Sequence, residues 1–185
     1  MTIVVSRYNE NIDWIAELNC NVVVYNKGSY LPNTISLPNV GREADSYLRF
    51  IIENYNKLDD VTGFLQANPF DHCRDVLDII KNYECGLKWL GTNWGPVTKN
   101  YDGGPGSIPL PLIDICYQLF NIKLTTDVKF TFSAGAQYLV PKQYIKSKSL
   151  IWWINCYDIF NQYIDTSPWA YERLWPIIWD YSTNH

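Results

Sequence analysis

Three short apolar runs separated by helical periodicity constrain this chain more than any other feature. "TIVVS" (Thr2 to Ser6), "NVVVYN" (Asn21 to Asn26) and "VTGFL" (Val61 to Leu65) are β-branched and almost continuously apolar, which suits strands buried on both faces. Between the first two, "NENIDWIAEL" carries Ile12, Ile15, Ala16 and Leu18 at a spacing compatible with a short helix. Between the second and third, Ala44, Tyr47, Leu48, Ile51, Ile52, Tyr55 and Leu58 keep three-and-four spacing, with Asp45, Arg49, Glu53 and Asn56 off that stripe. The order β-α-β-α-β with short connections predicts an α/β fold: a mostly parallel sheet with helices on both faces.

The rest of the chain extends that plan. "LIDICYQLF" predicts a helix, and "VKFTFSAGAQYLV" predicts strand, turn, strand around Gly135. From Pro141 the pattern is helical: "PKQYIKSK", "LIWWINCYDIFNQYI", and a capped start at Ser167-Pro168 whose helix should kink or restart at Pro176. Residues 86–111 differ, holding six of the ten glycines and four of the ten prolines. Such a stretch inside one domain of 185 residues reads as a lid or an acceptor-binding loop, with Trp89 and Trp94 available to stack on a sugar.

Composition removes several classes of function. With 47% hydrophobic and 18% charged residues the chain is globular, and a net charge of −4 without a basic patch argues against nucleic acid as a partner. The five cysteines are widely spaced and form no CxxC or Cys/His metal pattern, so they read as reduced thiols. No stretch looks like a signal peptide or a membrane span, and the expected location is cytoplasmic. Eight tryptophans serve either a core of large rings or ligand stacking. Neither GxGxxG nor GxxxxGK[ST] occurs, nor a GxSxG elbow, and "GGPGS" at 103–107 lacks the strand and helix that would make it a phosphate loop.

In open parallel sheets ligands bind beyond the carboxyl ends of the strands. The three predicted strands end in Ser6-Arg7-Tyr8-Asn9-Glu10, in Tyr25-Asn26-Lys27-Gly28, and in Gln66-Ala67-Asn68-Pro69-Phe70-Asp71-His72, so these polar clusters should meet along one edge. The helix after the second strand must start at that edge. Its first turn, Asn39-Val40-Gly41-Arg42-Glu43, contains a glycine that costs about 1 kcal/mol relative to alanine in a helix. A bound anion gives that glycine a purpose: unpaired amides face the ligand, Gly41 allows close approach, Arg42 forks onto phosphate oxygens, and Glu43 orients Arg42 or accepts a ribose hydroxyl. The competing reading is a surface ion pair, with the glycine ending the preceding turn.

Five segments, "VVSRYNENIDWI", "YNKG", "LPNVGREADSYLRFIIENY", "VTGFLQANPFDH" and "FSAGAQYLVPKQYIKSK … YERLWPIIW", together resemble a family of uncharacterised proteins of fungi, algae and large DNA viruses that carries only a domain-of-unknown-function label. That family in turn resembles compact nucleotide-sugar glycosyltransferases of the GT-A type. The resemblance implies a single glycosyltransferase-like domain over residues 1–185. Arg7, Asn9, Glu10, Asn26, Lys27, Asn39, Gly41, Arg42 and Glu43 would line the donor site, with Gln66, Asn68 and Gln137 also binding substrate. It places Gln66 to His72 where GT-A enzymes carry a metal-binding Asp-x-Asp. Here Gln66-Ala67-Asn68 has no carboxylate. Asp71 and His72 are then either substitute ligands for Mn²⁺ or Mg²⁺, or a helix cap and a satisfied histidine. Glu172, beside Arg173, is either a catalytic base or half of an ordinary ion pair.

The function expected on these grounds is sugar transfer from a nucleotide-diphosphate donor to an unidentified acceptor, with Asp71 or Glu172 as base. A non-catalytic module binding a glycan or nucleotide-sugar is the alternative. A metal-dependent hydrolase built on Asp71 and His72 has a thin ligand set.

Overall fold

A computed structural model describes residues 1–91, 93–98, 108–124 and 129–180, residues 93–98 by their backbone. Strands β1 (Thr2–Arg7), β2 (Asn21–Asn26) and β4 (Val61–Gln66) are the three apolar runs. Together with the short β3 (Ile35–Ser36) they pair in parallel in the order β3-β2-β1-β4. The register of β1 on β4 sets Ile3 beside Gly63 and Val5 beside Leu65. Alternation along β1 then sends Ile3 and Val5 to one face and Val4 to the other. The expected α/β plan is present.

Two antiparallel strands extend this sheet beyond β4: β8 (Tyr138–Pro141) against β4, and β5 (Lys88–Trp89) against β8. The strand-turn-strand expected around Gly135 is therefore divided. β7 (Lys129–Ser133) pairs instead with β6 (Asn93–Thr98) in a separate two-stranded sheet, and only β8 enters the main one. Gly135, at φ 85°, and Ala136, at φ 50°, make the left-handed turn that redirects the chain.

One face of the main sheet is covered by α1 (Arg42–Asn54), α5 (Leu150–Gln162) and α6 (Ser167–Asp180), with α3 (Leu112–Phe120) packed against α5 and α6. The other carries a 3-10 turn at Asp13–Glu17 and α2 (Val76–Lys81). Helix α4 (Lys142–Lys146) follows β8 directly. The helix expected to kink or restart at Pro176 does not restart there: it continues through Pro176 to Asp180. Pro176 is buried among the residues that hold α6 in the core, and this packing offsets the lost hydrogen bond to the carbonyl of Glu172.

The aromatic excess goes largely into this core. Trp175 and Trp179 stack with centroids 4.8 Å apart, Phe64 stacks on Trp179 at 5.6 Å, and Tyr47 meets Phe64 at 5.0 Å. Trp89 belongs to β5 and packs against the same core, and Leu90 and Leu110 are buried, so both ends of the expected lid are built into the fold. Its centre, 99–107, and the side chain of Trp94 lie outside the described residues. No helix among the described residues is long and apolar enough to cross a membrane.

Candidate functional site

The carboxyl ends of β1, β2 and β4 and the first turn of α1 enclose a cleft of about 330 Å³. Among the residues singled out from the sequence, Arg7, Glu10, Lys27, Asn39, Arg42, Glu43, Gln66, Asn68 and Asp71 line it. Ser6, Tyr8 and Ala67 complete the wall; all three lie within the strand-end clusters, and no charge singled them out in the sequence.

Several of these side chains are already committed to the fold. Arg7 is buried, with its guanidinium donating to the carbonyls of Tyr8, Glu10 and Ser29 and to Asn26 Oδ1. Asn26 Nδ2 donates to the Ser29 carbonyl, Asn9 Oδ1 accepts from the Ser29 amide, and Glu10 Oε2 accepts from the Tyr8 amide. Asn9, Asn26 and Arg7 thus fasten two strand-end loops to each other.

Lys27 is likewise engaged. Its ammonium donates to the carbonyls of Val40 and Arg42 and, at 2.8 Å, to Asp45 Oδ2. An ammonium has three protons, and three acceptors use them. Burial pulls Lys27 below the usual lysine range, opposed by the hydrogen bond and charge of Asp45. Asp45 also accepts from Arg49 at 2.9 Å and from Tyr157 at 2.7 Å, which ties the start of α1 to α5.

This network explains the glycine in the helix start. Gly41 has φ 71° and Arg42 φ 48°, two successive left-handed residues leading into α1. A Cβ on Gly41 would meet Asp45 Cβ at 2.7 Å and the Phe160 ring at 2.9 Å. Backbone conformation and packing therefore require the glycine, whether or not a phosphate approaches. Arg42, a non-glycine residue in that region, carries strain of roughly 1–2 kcal/mol. Lys27 holds it there through the Arg42 carbonyl.

What remains open to a ligand is narrower than the lining. The Arg42 side chain is more than half exposed, over the Trp169 ring at 5.3 Å and 3.6 Å from the Glu43 carboxylate. Residues 42–44 begin the helix, so their amides have no intrahelical acceptor. Glu43 is 7% exposed, and burial pushes its carboxyl up to about 7. The Arg42 charge opposes that shift and the Glu172 charge adds to it. Asn39, Gln66, Asn68, Glu10 and Asp71 supply further polar groups.

The other predicted site residues stand behind or beside the cleft. Gln137 is fully buried; its Nε2 donates to the Pro69 carbonyl and its Oε1 accepts from the Gln66 amide, bracing the loop after β4. His72 packs its ring against Gly135, away from the cleft lining that contains Asp71. Glu172 accepts from the Gly135 amide at 2.8 Å and pairs with Arg173, whose guanidinium lies 4.5 Å from the Phe132 ring. Among the described residues no three His, Cys, Asp or Glu side chains form a group able to hold a metal ion.

Everything that lines the cleft lies between Ser6 and Asp71, inside the segment that a family model recognises. Residues 3–84 match DUF3431, a protein of unknown function. The DUF3431 match takes in β1 to α2, hence the parallel strands and the strained helix start, while the aromatic helices that cover them follow it in the chain. No curated protein matches the chain, and no solved structure does.

Proposed function

We propose that the cleft binds the diphosphate of a nucleotide-sugar and that the protein is a glycosyltransferase. The observation that carries this reading is the strained start of α1, where Arg42 and the amides of residues 42–44 meet at the mouth of the cleft on the carboxyl edge of the sheet. Such a helix start stabilises a phosphate through its unpaired N–H groups and its dipole, and a guanidinium adds a two-pronged contact. During transfer the same groups stabilise the charge that grows on the departing diphosphate. An acceptor hydroxyl attacks the anomeric carbon, the bond from that carbon to the phosphate oxygen breaks, and the acceptor proton passes to a carboxylate. Asp71, exposed within the cleft, is the candidate base; Glu172 is engaged with Gly135 and Arg173.

Asp71 without His72 is too small a ligand set for a preformed metal centre. A hard ion such as Mn²⁺ or Mg²⁺ would enter with the diphosphate, held by its oxygens and by water, and would neutralise phosphate charge while Asp71 stays free as the base. The alternative, a module that binds a glycan or nucleotide-sugar without turnover, draws support from Lys27 and Arg7, whose donors serve the fold. Release of free nucleoside diphosphate from a panel of donors, with and without Mn²⁺, separates the two. Turnover that Asp71→Asn abolishes while donor binding persists supports the enzyme; binding of a donor without turnover under any condition supports the module.

A further inference from the structure

Three carboxylates line the cleft, and they differ in burial: Glu10 and Asp71 are exposed, whereas Glu43 is buried. Glu43 accepts a hydrogen bond from its own amide and from no other residue among those described. Its nearest cation, Arg42, reaches outward over Trp169. From the interior side come Tyr47, one turn along α1, and Tyr138 of β8. Both are fully buried and their hydroxyls have no hydrogen-bond partner among the described residues. Glu172 of α6 adds a second negative charge, while Lys27 at the end of β2, paired with Asp45, acts more weakly in the opposite sense. From the cleft side Arg7, Glu10 and Asp71 face the same space.

An ionised Glu43 and a phosphate at the start of α1 would be two like charges in one partly dry cleft. Protonation removes the repulsion and also converts the carboxyl from an acceptor into a donor. We infer that Glu43 serves the cleft as a neutral carboxylic acid that donates a hydrogen bond to an anion of the phosphate class, so that binding takes up a proton. The inference rests on the reading of the cleft as a phosphate site. Burial, the chief cause of a carboxyl that titrates at about 7, leaves both forms populated near neutrality, where the field of an arriving anion decides between them.

Calorimetric titration of the wild-type chain with inorganic sulfate tests the proposal, because sulfate itself does not titrate near neutrality. Heats measured at one pH slightly above neutral, in two buffers of different ionisation enthalpy, count the protons taken up. We expect net uptake, and an affinity that falls by up to tenfold for each pH unit above about 7. In Glu43→Gln, which carries a permanent N–H donor, uptake should vanish and affinity should become independent of pH across that range. Sulfate binding without uptake, or a pH slope that persists in Glu43→Gln, overturns the role of Glu43 and leaves the phosphate site standing. Failure of both sulfate and inorganic pyrophosphate to bind at any pH overturns the phosphate site as well. The proton count on the wild-type chain stands without the variant.

Discussion

Replacing Glu43 by glutamine should change how stability depends on pH, by an amount the structure sets. An unfolded glutamate titrates at 4.5, and in the folded chain burial raises this carboxyl to about 7. Between those values the native state holds more protons than the unfolded state, so stability falls as pH rises through the window. The difference, at about 1.4 kcal/mol per unit, means that ionised Glu43 costs about 3 kcal/mol once pH passes 7. Glutamine keeps the shape and has no charge to desolvate. The Arg42 pair it removes contributes less than about 1 kcal/mol, since Arg42 is more than half exposed. Urea unfolding of both chains at a series of pH values is the assay, because titrations common to both cancel in the difference. The two should be nearly equally stable at about pH 4.5, and above pH 7 the variant should be the more stable by up to about 3 kcal/mol. Parallel curves over that range would refute the assignment of a proton to Glu43.

Three further substitutions probe the start of α1. Gly41→Ala places a Cβ against Asp45 and Phe160 at a left-handed residue, and should cost about 2 kcal/mol or more in urea unfolding; a neutral outcome would mean that the backbone there is free to relax. Lys27→Met leaves buried Asp45 with only Arg49 and Tyr157 and should cost about 3 kcal/mol, the low end for breaking a buried pair. Arg42→Lys should leave stability within about 0.5 kcal/mol and weaken a nucleoside diphosphate about tenfold in titration, because lysine lacks the two-pronged contact; unchanged affinity would remove Arg42 from the site.

Three of the four parallel strands were legible because they are nearly continuous apolar runs and α1 has a clean stripe; the two-residue, exposed β3 carries no such signal. β8 and β5 were harder to place, since four-residue and two-residue strands leave almost no period to count. The split between β7 and β8 depends on partners distant in sequence, and a strand-turn-strand pattern carries no record of them. The strand-end polar clusters did mark the cleft. What they did not distinguish is a polar group facing a ligand from one facing the fold. Arg7 and Lys27 are consumed mainly by backbone carbonyls, and every residue has a carbonyl, so sequence offers no signal for that engagement. For Gly41 the sequence offers a bound anion or a turn-ending glycine beside an ion pair, whereas φ and the Phe160 contact already require glycine there. The shifted carboxyl of Glu43 arises from burial, with the charge of Glu172, some 130 residues further along the chain, adding to it, and nothing within the helix start encodes it.

A thermal-shift titration with a panel of nucleotide-sugars, with and without Mn²⁺, is the direct test of the proposal that this cleft holds such a donor. A donor present at about a hundred times its dissociation constant adds about 2.7 kcal/mol. For a chain of this size that corresponds to a midpoint raised by roughly 5–10 °C. Such a shift is expected for at least one nucleotide-sugar, matched in part by its nucleoside diphosphate and diminished in Arg42→Lys. No shift with any donor, with or without the metal, would contradict that proposal.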